Sequence, residues 1–141
     1  MSAPSSHPAP HRHLVSFWTL LFGAAAAPLF WLGQLMLGFL VTADACFGGD
    51  HPTTAAPAPL HTVLFAFDGI AAAAAVAGGI VAYASWRALR VEKQGGHETA
   101  LETGAGRARF LALWGILSSA IFLAAIVFTT IATMGVPLCP A

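Results

Sequence analysis

Three stretches of this chain are almost free of charge. Residues 14–42 and 110–136 contain no Asp, Glu, Lys or Arg, and 60–86 contains Asp68 alone. A helix needs about 20 consecutive, mostly apolar residues to cross the hydrocarbon core of a bilayer, and each stretch exceeds that. A soluble helix of similar length turns a polar face to water, and these stretches hold too few polar residues to make one. The chain is therefore read as an all-α membrane protein with three transmembrane helices, over about 14–42, 60–86 and 110–136. Composition agrees, since only 9% of its 141 residues are charged, against roughly a quarter in a soluble domain.

The first stretch is not read as a signal peptide, although Ala43-Asp44-Ala45 precedes Cys46. A cleavable signal carries an apolar core of about 7–15 residues behind a basic start. Here the core is far longer and follows Arg12 alone among Lys and Arg.

Orientation follows from the cations. Arg87, Arg90, Lys93, Arg107 and Arg109 all lie between the second and third stretches, whereas 43–59 and 137–141 hold neither Lys nor Arg. Short loops rich in Lys and Arg stay in the cytoplasm. This predicts the N-terminus inside and the C-terminus outside. Trp18, Trp86 and Trp114 fall at the cytoplasmic ends, where interfacial Trp is favoured. Residues 1–11, rich in Ser, Pro and His, read as a disordered cytoplasmic tail with solvated histidines. Residues 12–141 read as a single three-helix membrane domain. A formal net charge of zero gives no global field toward nucleic acid, so the expected surroundings are lipid and other membrane protein.

Helices in lipid associate through small residues that let backbones approach. Ala71, Ala75 and Gly79 form such a stripe on the second span. The first offers residues 23–27 followed by Pro28, and the third offers Ser118, Ser119, Ala120, Ala124 and Ala125. These predict contact faces, within the bundle or with a larger partner. Pro28 cannot donate a backbone hydrogen bond, so neighbours are expected to satisfy the carbonyl it frees. Trp31 lies at mid-membrane depth and is expected to pack against protein.

Two constellations could carry chemistry. Cys46 follows the first span and Cys139 the third, so both fall on the outer side, where an oxidising compartment favours a disulfide. The rival is copper held by the two thiolates with help from His51 or His61. The second constellation is Asp68, about 12 Å below the outer end of its span, with His61 two turns above it and Gln34 in the middle of the first span. A carboxylate at that depth costs several kcal/mol unless paired, hydrated or protonated. The structural reading is an Asp68 bonded to the Gln34 amide, fixing helix register. The functional reading is a proton-accepting group with His61 at its entry. No metalloprotease, phosphate-loop or nucleophile-elbow motif occurs, and paired axial histidines for haem are missing from the spans. The chain is read as a non-enzyme, with no cofactor and no dedicated metal site.

Pro28-Leu29-Phe30-Trp31, then Gln34, then Ala45-Cys46, with Val136-Pro137-Leu138-Cys139 near the end, resembles a group of small, poorly characterised three-helix proteins of the bacterial inner membrane. Their genes neighbour those for haem-copper terminal oxidases and copper-delivering assembly factors. The resemblance implies that Cys46 and Cys139 are a shared pair and Trp31 a shared packing residue. It also implies a non-enzymatic accessory or assembly role beside a respiratory complex, such as a haem-copper oxidase. The competing expectations are an oligomeric proton-coupled carrier using Asp68 and His61, and copper handling at the outer face.

Overall fold

The structure, a computed structural model, describes residues 15–50, 53, 55–91 and 105–139. They form three long helices: α1 (Phe17–Phe47), α2 (Ala58–Val91) and α3 (Ala105–Gly135). All three are long and apolar enough to cross a membrane. At 1.5 Å per residue, the 31 residues of α1 or α3 extend about 46 Å, well beyond a hydrocarbon core of about 30 Å. The chain is a multi-pass membrane protein.

The helices overrun the uncharged stretches, and each overrun has a local reason. Helix α1 continues through Cys46 to Phe47, so Cys46 belongs to its last turn and does not follow it. Helix α2 begins at Ala58 and includes Pro59, which is tolerated in a first turn because the missing N–H has no partner there anyway. At the other end α2 carries Arg87 and Arg90, and α3 carries Arg107 and Arg109. Long cationic side chains can lie along an apolar helix with their heads in the headgroup region, so charge does not end these helices. Gly106 sits in the first turn of α3. Lys93, the tail 1–11, and His51 and Pro52 lie outside the described residues.

Each helix packs against both others, with α2 antiparallel to its neighbours. The packing inverts what water would select: small residues inside, large ones outside. Ala26, Ala27, Ala71, Ala75, Ala82 and Ala112 are buried, whereas Phe17, Trp18, Phe39 and Phe128 are exposed. Gly23 of α1, Ala82 of α2 and Gly115 of α3 meet where the backbones come closest. A Cβ built on Gly115 would lie 2.9 Å from the Ala82 Cβ and 3.0 Å from the Gly23 carbonyl oxygen. Only glycine permits that approach. The small-residue stripe on α2 runs through Ala71, Ala75 and Gly78, with Gly79 half-buried beside it against Ser119. The strict four-residue spacing thus shifts by one, because 3.6 residues per turn carries a straight i+4 row off the contact line.

Toward the middle the interior widens to admit larger groups. Ala27, Ala71, Ala75 and Ile126 form a buried cluster, covered by Phe30, Trp31, Phe122 and Leu123. The Trp31 and Phe122 rings pack with centroids 5.2 Å apart. Trp31 therefore spends much of its surface on its own bundle.

Pro28 lies inside an unbroken α1, which leaves the Ala24 carbonyl, four residues back, without its helical donor. The Ser118 hydroxyl of α3 donates to that oxygen at 3.3 Å. A helix defect in α1 thus becomes a cross-link to α3.

Candidate functional site

Two polar features interrupt the apolar bundle, one at its cysteine-bearing end and one a few turns below. At the end, Cys46 and Cys139 form a disulfide with Cα atoms 5.5 Å apart, within the usual range for such a bond. Both residues are buried. Thr53 folds over them. Its backbone N–H donates to the Cys46 carbonyl at 2.9 Å and its hydroxyl to the Ala45 carbonyl at 3.2 Å, while the hydroxyl also approaches the Cys139 sulfur at 3.9 Å. These bonds occupy carbonyls that the last turn of a helix leaves without partners. Thr53 is therefore held at the end of α1, beside the disulfide.

The second feature is the pair Gln34 and Asp68. Both side chains are more than nine-tenths buried, with 4% and 7% of their surface exposed. The Gln34 amide nitrogen donates to Asp68 Oδ1 at 2.7 Å. That bond joins α1 to α2 and fixes their register. It satisfies only half of each group, since Asp68 Oδ2 and Gln34 Oε1 are buried with no hydrogen-bond partner among the described residues.

Both residues line a partly open cleft of about 190 Å³ that runs from Asp68 toward the disulfide end. Leu35, Gly38, Phe39 and Thr42 of α1 form one wall, Leu64 of α2 another, and Thr129 and Thr133 of α3 the third. Thr129 donates its hydroxyl proton to the Ala125 carbonyl at 2.9 Å. Thr133 donates to the Thr130 carbonyl at 2.7 Å, with the Thr129 carbonyl also in range at 3.1 Å. With those protons committed to backbone, both hydroxyl oxygens retain only acceptor capacity.

The other expected site residues lie apart from this cleft. His61 is half-buried on α2, its ring 6.3 Å from that of Phe65. It does not line the cleft, and its seven-residue offset puts it about 10 Å farther toward the cysteine end. Arg87, Arg90, Arg107 and Arg109 lie at the opposite end of the bundle, where the Arg90 guanidinium sits 4.6 Å over the Trp86 ring. Pro28, Ala71, Ala75 and Gly79 belong to the helix contacts. Among the described residues, no three of His, Cys, Asp and Glu come together. Sequence reasoning passed over Thr53, Thr129 and Thr133. The i, i+4 spacing of the latter two, on the half of α3 nearest Cys139, is the signal that places them on one face.

Comparison with known protein families, with curated proteins and with solved structures finds no match to this chain.

Proposed function

We propose that the chain is a non-enzymatic accessory subunit of a bacterial respiratory membrane complex, held in the inner membrane with its disulfide outside and its arginines in the cytoplasm. One observation carries this reading: the bundle spends its adhesive chemistry on itself. The close contact of Gly23, Ala82 and Gly115, the bond from Ser118 to Ala24 and the terminal disulfide all rigidify the three helices. What remains for other molecules is a fixed, bulky apolar exterior, including Phe39 and Phe128. Such a surface suits lateral docking on a larger membrane subunit, because a preorganised face loses little entropy on binding. The gathering of Arg87 and Arg90 at the end of α2, Lys93 after it, and Arg107 and Arg109 at the start of α3 supports the orientation. The oxidase context rests on the resemblance of the Pro28–Trp31 and cysteine segments.

Copurification under mild detergent tests the proposal. Tagged protein is expected to enrich subunits of a haem-copper oxidase over an untagged control; enrichment of no respiratory subunit defeats it. Copper handling through the cysteines is less well supported. Thiolate is the metal ligand, and both sulfurs are held in the disulfide.

A second reading, an oligomeric proton-coupled carrier, draws on the depth of Asp68 and its unpartnered Oδ2. Three helices cannot enclose a pathway alone, so this reading requires self-assembly. Asp68→Asn separates the two: a carrier loses transport, whereas an accessory subunit keeps its partner.

A further inference from the structure

The three uncharged stretches hold one carboxyl group between them, and none of them carries a cation to answer it. Residues 14–42 and 110–136 contain no Lys, Arg or His, and 60–86 adds only His61 and Tyr83 to Asp68 as titratable side chains. His61 stands two turns away and outside the cleft, and Tyr83 lies fifteen residues in the other direction, about 22 Å along the helix.

Hydrogen-bond donors are equally scarce. Asp68 Oδ1 has the Gln34 amide at 2.7 Å, whereas Asp68 Oδ2 and Gln34 Oε1 are closed off from solvent with no partner among the described residues. Thr129 and Thr133 spend their hydroxyl protons on carbonyls of α3 itself. Thr42 is eight residues from Gln34, about 12 Å along α1. The two stranded oxygens therefore belong to two groups that are already joined, and the pair lacks a single hydrogen.

From this we infer that Asp68 is a proton-binding site: it is held as the neutral carboxylic acid, with Oδ2–H donating to Gln34 Oε1, so that acid and amide close a ring of two hydrogen bonds between α1 and α2. One proton turns Oδ2 from acceptor into donor and gives Oε1 its partner. Both groups are planar, and the terminal torsions that turn them have broad wells, so the second bond forms without disturbing the first. An ionised Asp68 instead leaves two buried acceptors without donors and a charge without a counter-ion, each costly away from water. Exchanging Oε1 and Nε2 of Gln34, which differ only by assignment, does not remove the need. The 2.7 Å contact would then join two oxygens and again require the proton. The ring rests on neither functional reading, because a scaffold and a carrier can both hold this proton.

Infrared spectroscopy of the full-length, disulfide-intact protein in detergent at neutral pH tests the ring. Aspartate is isotopically labelled at its side-chain carboxyl carbon, which separates its bands from those of glutamate and amide groups. The difference between wild type and Asp68→Asn is expected to contain the carbonyl stretch of a protonated acid. Gln34→Leu is expected to move that stretch to higher frequency, because the acid loses its partner. Asparagine keeps the shape and offers an N–H where the acid has its O–H. Asp68→Asn is therefore expected to keep the wild-type thermal midpoint, while Asp68→Leu lowers it by several degrees.

Carboxylate bands alone in the difference spectrum overturn the proposal, as does an acid band that Gln34→Leu leaves in place. A midpoint raised by several degrees in Asp68→Asn also overturns it, since that rise would mark the removal of a buried charge. Should Asp68→Asn fail to fold, the labelled wild type compared with Gln34→Leu still decides the question.

Discussion

A carboxyl group buried among helices must be matched atom by atom, and one amide from Gln34 matches only one of the two oxygens of Asp68. The worth of that contact is measurable. Removing one partner of a buried pair strands the other, whereas removing both can be close to neutral. Gln34→Leu is therefore expected to destabilise the bundle by about 1–3 kcal/mol, and the Gln34→Leu/Asp68→Leu double variant by clearly less than the sum of the single changes. Unfolding in mixed micelles with increasing SDS gives the four free energies of this cycle. Strict additivity would mean that the 2.7 Å contact contributes nothing to register. Gln34 and Asp68 stand out in the sequence because polar side chains are rare inside long apolar stretches. Thr129 and Thr133 do not, because a threonine that bonds its own helix passes as one more residue of an apolar span. The pair was thus legible residue by residue. The cleft was not, since it depends on which face of α3 turns inward.

Within an element, each defect is read by its neighbour. Pro28 would ordinarily weaken α1 by stranding the Ala24 carbonyl, and Ser118 answers it from α3. The expected signature is again one of coupling. Ser118→Ala should cost about 1 kcal/mol when Pro28 is present and close to nothing in a Pro28→Ala background, where residue 28 supplies its own N–H to Ala24. An equal cost in both backgrounds would leave the Ser118 hydroxyl with no link to the proline.

Glycines divide by the same logic of contact. Gly115 faces Ala82 and the backbone of Gly23 at distances no Cβ tolerates, while Gly69 has open space around it. Gly115→Ala is expected to destabilise by about 1–3 kcal/mol through overpacking. Gly69→Ala is expected to be neutral or to stabilise by up to about 1 kcal/mol through helix propensity. The SDS midpoints of the two variants should therefore move apart, and a shared direction contradicts this close packing. The sequence made a small-residue contact face on α2 visible but set its line on Gly79, where the buried position is Gly78. A list of alanines and glycines carries no phase; only the partner helices fix which of two adjacent glycines is central.

For the whole molecule, three long apolar segments and two cysteines at corresponding ends of α1 and α3 make the architecture readable before any coordinates. Helix ends were less so, because Pro59 is harmless in a first turn and the arginines ride on helices that outlast the hydrocarbon. The disulfide closes the longest loop available, with its cysteines 93 positions apart. Bonds of this kind contribute about 2–4 kcal/mol. Cys46→Ser, Cys139→Ser and the double variant are expected to lose that amount alike, because each abolishes the same bond, and reductant should bring the wild type to the same midpoint. A double variant markedly weaker than either single one would indicate that the sulfurs act separately.

The proposed orientation can be tested on the same cysteine-free background. Ala55 is exposed on the disulfide side of the bundle, and Ala88 is exposed among the arginines at the other end. Lys and Arg gathered in a short connection hold it in the cytoplasm. A55C is therefore expected to react with a membrane-impermeant maleimide in intact cells, and A88C only after permeabilisation. The reverse pattern would put the arginines outside and the disulfide in a reducing compartment, where such bonds rarely persist. It would remove at one stroke the orientation and the chemical reason for pairing Cys46 with Cys139.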